Sequence, residues 1–451
     1  MSNSLQYDTI KTNFKTFKNI IRKSIVEAKK AYYHKTFKKY SNDLRKTWQT
    51  INETLNRQNK KNKYPEEFNL TNGDTISDHK TIADTFNSFF TNIWETLNVH
   101  SNTTTNMFDQ YLSNKPNCNL KFKTMTAADI CQIINSLKPK PSSGNDNLSN
   151  RIIKFIKDVI IEPLTIIINQ MLNTGIFPEK LKISKVVPLY KKDNKKTFSN
   201  YRPISLLPSI SKIFERAIFL QLSDYFESNS LIQRNQYGFR KQHSTELASL
   251  HIVDYINYQM DKMNTPINIY LDLSKAFDTL NHDVLLSKLK FYGINGIAYN
   301  LLSTYLCSRK QYVQFQETCS DLLDIKHGVP QGSILGPLLF IIYINDFPNA
   351  SNLFSFLMYA DDTTLYCCLE DIKSNDKEKI IDDELQNINL WLQANKLTLN
   401  VNKTKFMLFY KPPKLVNTIN ISINNNNISS VTTFNFLGLN LNNNLTWNTH
   451  N

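Results

Sequence analysis

The sequence predicts an α+β domain behind a basic, mostly helical N-terminal region, and three observations carry that reading. From about residue 180 onward, short apolar runs of strand character alternate with longer runs of helical period. The strand-like runs are "ISKVVPLY" (183–190), "INIYLDL" (267–273), "FSFLMYA" (354–360), "TTLYC" (363–367) and "KFMLFY" (405–410). Helical runs such as "ISKIFERAIFLQLSDYF" and "DELQNINLWLQAN" lie between them, a mixture that with its hairpins fits α+β. The first sixty or so residues differ: they are Lys-rich, lack Gly and Pro, and set Phe17, Ile20, Ile21 and Ile25 at helical spacing. Polar segments at 57–67, with Pro65 as a breaker, and at 101–119 read as linkers.

Composition narrows the function class. The chain has 451 residues, 41% of them hydrophobic and 20% charged, which is globular and sufficient for more than one core. Its net charge of +14 points to a polyanionic partner. In the N-terminal region Lys18, Arg22, Lys29, Lys30, Lys38 and Lys39 outweigh Glu27 and Asp43, which favours phosphate contact over a merely solvated face. The longest apolar run, Gly332 to Ile344, is too short to span a membrane and ends at Asn345-Asp346. Neither a secretory signal nor a CxxC pairing among the six cysteines is visible, so an intracellular, reduced setting is expected.

The remaining elements follow in order. A helix is expected in "SDHKTIADTFNSFFTNIWETL", capped by Ser77 or Asp78, with Ile82, Phe86, Phe89, Phe90 and Ile93 on its apolar face. A short helix in "TAADICQIINSL" precedes a loop over 138–149. The Asn-rich "NTININISINNNNISS" reflects gene base composition as readily as function.

The chemistry centres on carboxylates. Period two sets Ile267, Ile269, Leu271 and Leu273 on one strand face and Asn268, Tyr270 and Asp272 on the other. Asp361 and Asp362 fall between "FLMY" and "TTLYC", where a hairpin turn is natural. If those strands neighbour the one bearing Asp272, the carboxylates meet at one rim, an arrangement that a divalent cation would stabilise. Oxygen ligands of this kind suit Mg²⁺ bound by one or two carboxylates together with substrate phosphates. Asp is common in turns, so on the dipeptide alone a plain polar turn is the better reading. Gly328, Gly332 and Gly336 lack the following Lys-Ser or Lys-Thr of a phosphate loop. His243, His282 and His327 form no ligand pattern and read as surface or loop residues.

Longer motifs decide the matter. "LDLSKAFDTLNHDVLLSKL", "HGVPQGSILGPLLFIIYINDF" and "YADDTTLY", in that order, closely resemble the reverse transcriptases of non-LTR (LINE-type) retrotransposons. "SNYRPISLLPSISKIFERAI", "QYGFRKQHSTELA", "LNVNKTKFMLF" and "FNFLGLNLNNNLTW" extend the resemblance, so that it covers about residue 122 to the C-terminus. The resemblance implies a right-hand polymerase palm and fingers over 116–451, with a core at about 181–441. A basic helical region over 1–115 would precede it. RNA template, DNA primer, deoxynucleoside triphosphates and two Mg²⁺ ions, or Mn²⁺, are the implied partners and cofactors, with no membrane involved.

It also assigns roles. Asp272 and Asp361 would ligate both metals, helped by the Leu273 carbonyl, with Asp362 in support. Phe277 would block a 2′-hydroxyl, although spacing alone makes it ordinary core. Gly332 would admit the incoming base pair closely, and Gln331 would contact nucleotide or template. Arg202 and either Lys191 or Lys192 would meet the triphosphate, and Lys403 the pyrophosphate. "FNFLGLNL" resembles a primer-gripping hairpin, though its residues also suit a core.

Against complete elements of this type, the resemblance leads to the expectation that these residues include neither the endonuclease nor most of the thumb. The expected function is RNA-directed DNA polymerisation by two-metal nucleotidyl transfer. The alternatives are an RNA-copying or template-independent polymerase, against which Phe277 argues, and an inactive remnant that only binds nucleic acid. Family resemblance suggests work in cytoplasm and nucleus.

Overall fold

The computed structural model describes residues 2–40, 43–55, 64–70, 72–94, 107–113, 115–412, 414 and 419–446. Most of the linker expected at 57–67 and the start of that at 101–119 lie outside the described residues. Contacts divide the chain into two units, Met1–Glu66 and Glu67–Asn451. In the first unit, helices span Ser2–Lys39 and Leu44–Thr54. The helical period of the N-terminal region holds, but its apolar stripe is not buried: Phe17 is 66% and Ile21 57% exposed.

The second unit begins well before residue 115. Asp78, rather than Ser77, caps helix His79–Thr91 by accepting a hydrogen bond from the Thr81 amide. Its apolar face buries Ile82, Phe86 and Phe90, and Phe86 packs edge-on against Phe198 and Tyr201. These last two residues belong to the region of a five-stranded sheet ordered Tyr201–Leu206, Ile183–Tyr190, Arg309–Phe315, Thr318–Cys319, with Leu323–Ile325 also pairing on Arg309–Phe315. The expected strand 183–190 forms with those bounds.

A six-stranded sheet carries the other expected strands. Its order is Ile421–Ile423, Asn426–Ser430, Lys405–Leu408, Pro266–Leu271, Asp362–Cys368, Ser355–Tyr359. Pro266–Leu271 is central and buried along its whole length. Its two faces enter different cores, as period two requires: Ile267, Ile269 and Leu271 in the larger, Tyr270 in the smaller. Each fully buried apolar side chain here contributes about 1.5–3 kcal/mol, so the strand is anchored from both sides.

Helix Gly336–Tyr343 is apolar all round and buried, with Pro337 in its first turn. Beside it, Lys288 and Asp346 form an ion pair sealed from solvent; Lys288 Nζ also donates to the Tyr343 carbonyl at 2.6 Å, and Trp391 Nε1 to Asp346 Oδ2 at 3.1 Å. The "FNFLGLNL" segment is a hairpin, Thr433–Phe436 with Leu439–Asn442, turning through positive φ at Leu437 and Gly438. Phe436 is buried core, while Phe434 stacks on Tyr270 at 3.8 Å. Among the described residues no helix is long and apolar enough to cross a membrane.

Candidate active site

The carboxylates meet because of register. Thr363 pairs with Leu271 and Asp362 with Tyr359, so Asp361 occupies the two-residue turn beside the end of the central strand, where Asp272 follows Leu271. The Asp272 carbonyl accepts from the Asn400 amide at 2.8 Å, and Leu273 bridges to Leu399, which holds this strand end in place. Burial pushes the Asp361 carboxyl above its ordinary pKa and that of Asp362 up to about 6. Neighbouring carboxylates contribute to both rises, Asp272 to each and Asp361 to that of Asp362, and Arg202 opposes them.

Cations surround this corner. Lys403 Nζ lies 3.2 Å from Asp272 Oδ2 in a half-exposed ion pair, so the ammonium neutralises the carboxylate directly. Arg202 lies on a strand of the five-stranded sheet, paired with Leu189, and Lys191 directly follows the neighbouring strand Ile183–Tyr190. The Lys191 ammonium is depressed, first by desolvation and then by Arg202 and Lys403, with Asp272 opposing. Lys191 and Lys192 are both exposed, and Lys192 adds a weaker repulsion to the depression of Lys191.

Phe277 is half-buried and stacks on Phe340, ring centroids 4.5 Å apart, at the edge of the larger core. Gln331 is held within the protein: its Nε2 donates to both Asp278 oxygens at 2.8 Å, and its carbonyl accepts from the Ser205 amide at 2.9 Å. Gly332 has φ +132°, and a Cβ there would come within 2.5 Å of the Ser205 carbonyl. The close approach that demands glycine is therefore to the protein's own strand.

Several participants escape sequence reasoning. Gln236 is buried, and its Oε1 accepts from the amides of Gly238 at 2.8 Å and Ala360 at 3.1 Å. Ala360, the first turn residue, is left-handed at φ +57°, a conformation that this clamp stabilises. Lys275 lies between Asp272 and Phe277, with its buried ammonium 4.7 Å from the Phe89 ring centroid and depressed by desolvation. His282 corrects the surface reading: it is buried, and its Nε2 donates to the Gly328 carbonyl at 2.8 Å. His327 stacks on Trp94 at 4.0 Å, and burial pulls its pKa down to about 4. Only the ordering of "QYGF" and "HGVPQG" around the Asp motifs hinted at these contacts.

The donor set fits a hard divalent cation. Among the described residues no three His, Cys, Asp or Glu side chains gather to hold an ion alone. Asp272 and Asp361 offer carboxylate oxygens of the kind that Mg²⁺ uses when substrate supplies its remaining ligands. Burial and mutual repulsion disfavour the charged form of Asp361 and Asp362, and a bound cation would offset both.

Comparison with known proteins accounts for the arrangement. The family model "Reverse transcriptase (RNA-dependent DNA polymerase)" matches residues 190–441. The chain is 27% identical over 350 residues to the RNA-directed DNA polymerase from mobile element jockey of Drosophila melanogaster, covering 76% of this chain and 38% of that protein. It is 31% identical over 297 residues to the probable RNA-directed DNA polymerase from transposon BS of the same species, covering 63% of this chain and 32% of that one. A polyprotein from type-1 retrotransposable element R2 of Popillia japonica matches at 27% over 148 residues, covering 32% of this chain and 20% of its own length. The chain thus spans between about a fifth and two fifths of these relatives' length. With that match laid over the Asp272, Asp361 and Asp362 corner, the chain belongs to the reverse transcriptase family, in its non-LTR (LINE-type) branch.

Proposed function

We propose that this chain is an RNA-directed DNA polymerase that extends a DNA primer on an RNA template by two-metal nucleotidyl transfer. In this reading the six-stranded sheet is the palm and the five-stranded sheet belongs to the fingers. The observation that best supports it is the strand register that brings Asp272 beside Asp361 and Asp362, faced by Arg202 and Lys191. Asp272 and Asp361, with the Leu273 carbonyl, would hold the ions, and Asp362 would keep the turn's charge high beside them. Bound Mg²⁺ would supply Lewis-acid activation of the primer 3′-hydroxyl and neutralise charge on the pyrophosphate leaving group.

The chain's own residues do the rest by positioning and electrostatics. Arg202 offers a planar fork for phosphate oxygens, and Lys191 a point charge. Lys403, released from Asp272 when ions neutralise that carboxylate, would be free to meet the departing pyrophosphate. Phe277 would close the space that a 2′-hydroxyl needs. The test is extension of oligo(dT) on poly(rA) with dTTP and Mg²⁺ or Mn²⁺, comparing the wild type with Asp361→Ala. Extension by the wild type alone is expected. Equal extension by both would overturn the assignment of the carboxylates. Primer–template binding without extension in either would favour a chain that only binds nucleic acid.

A further inference from the structure

The most strained aromatic near the corner is one that the mechanism above leaves unused. Phe239 has φ +57° and is 49% exposed, an unfavourable conformation and an unfavourable setting for a large apolar side chain. Its neighbours fix it there. On one side Gly238 is wedged beneath the catalytic turn, where a Cβ would lie 2.3 Å from the Ala360 amide nitrogen. On the other, Arg240 forks onto Glu227 at 2.8 and 2.7 Å and donates to the Gln233 and Gln236 carbonyls. Backbone strain held by such over-determined surroundings marks positions whose geometry is used.

What Phe239 touches gives the use. Its ring stands edge-on to Phe277, with centroids 6.3 Å apart and planes at 88°. Phe277 is stacked face to face on Phe340 at 4.5 Å and 25°. Phe340 therefore restrains one face of the Phe277 ring, and Phe239 restrains it from a second direction. Without the Phe239 ring beside it, Phe277 gains freedom to tilt, and a gate that tilts discriminates less.

We infer that Phe239 is a positioning residue for sugar selectivity, holding Phe277 where it excludes a 2′-hydroxyl; this rests on the polymerase reading above. Because Gln236 and Gly238 tie the same segment to Ala360, the gate and the turn bearing Asp361 share one support. Selectivity and metal-site geometry are thereby set together.

The variant Phe239→Gly tests this cleanly. Glycine adopts φ +57° without strain and the side chain removed is half-exposed, so thermal stability should stay at or above that of the wild type. The readout is the ratio of dTTP to UTP use, measured as affinity on a dideoxy-terminated oligo(dT)–poly(rA) duplex and as kcat/KM on an extendable one. Phe239→Gly is expected to lower that ratio about threefold to tenfold, the worth of one aromatic pair. Phe239→Tyr should retain it. Phe277→Ala should lower it further, and adding Phe239→Gly to Phe277→Ala should change nothing more, since one residue acts through the other. An unchanged ratio in Phe239→Gly, where Phe277→Ala shifts it, would overturn the inference, as would additive losses in the double variant. A wild type that neither extends primers nor prefers dTTP in the terminated complex would overturn the polymerase reading itself, and with it this one.

Discussion

Asp278→Asn isolates the electrostatic cost of the loop that holds Gln331. The Asp278 carboxylate accepts from Gln331 Nε2 through both oxygens, and burial pushes its pKa from 3.8 up to about 6 against the opposing pull of Lys275 and Arg202. Below pH 3.8 the group is protonated in folded and unfolded chains alike. Between there and about 6 the unfolded chain has lost its proton while the folded chain keeps it, so stability falls as pH rises. Above about 6 the full penalty stands. A difference of that size corresponds to about 3 kcal/mol. Asp278 keeps some exposure as a residue although its carboxylate is closely packed, so screening reduces the expected value to about 2 kcal/mol. Asparagine does not ionise and still accepts one hydrogen bond. In urea unfolding at pH 4 and pH 8, the wild type should therefore lose about 2 kcal/mol relative to Asp278→Asn across that range. A pH-independent difference between the two proteins would refute the reasoning, and so would a wild type that gains.

Three further outcomes follow from other parts of the molecule. Lys288→Met should destabilise the second unit by about 3–5 kcal/mol in urea melts, because Asp346 is left charged and buried with only the Trp391 N–H. A loss below about 1 kcal/mol would mean that the pair is not sealed. Gly238→Ala places a methyl 2.3 Å from the Ala360 amide, so primer extension should drop at least tenfold while circular dichroism stays near wild type; undiminished extension would show that the turn tolerates the shift. Removing residues 1–65 should flatten the salt dependence of nucleic-acid binding, its slope falling by about 0.9 for each phosphate that the basic helices neutralise; an unchanged slope in a filter-binding series would sink that role.

Much of the fold is legible from local pattern. The strands 183–190 and 363–367 form where apolar alternation puts them, and the Asp361 turn lies between its two apolar runs. Period two on 267–271 also separates the two cores correctly, because a central strand buries both faces. Tertiary effects set the limits. Ala360 has no intrinsic preference for positive φ; Gln236, more than a hundred residues earlier, imposes it. Lys191 and Lys192 are indistinguishable as letters, and the depression of the Lys191 ammonium by Arg202 and Lys403 depends on strand placement that the local sequence does not carry. Nothing local marks Lys288 as buried; its burial depends on Asp346 being brought against it by the fold. The apolar spacing at Phe17 and Ile21 is a true helical signal with no buried face behind it.

The central claim is that Asp272 and Asp361 hold the ions on which transfer depends. The most direct measurement is Mn²⁺ bound per chain, by electron paramagnetic resonance, in a complex with dideoxy-terminated oligo(dT), poly(rA) and dTTP, where no turnover intervenes. The account predicts two specifically bound ions in the wild type and loss of that binding in Asp361→Ala, with primer–template still bound. Equal Mn²⁺ occupancy in the two proteins would contradict it.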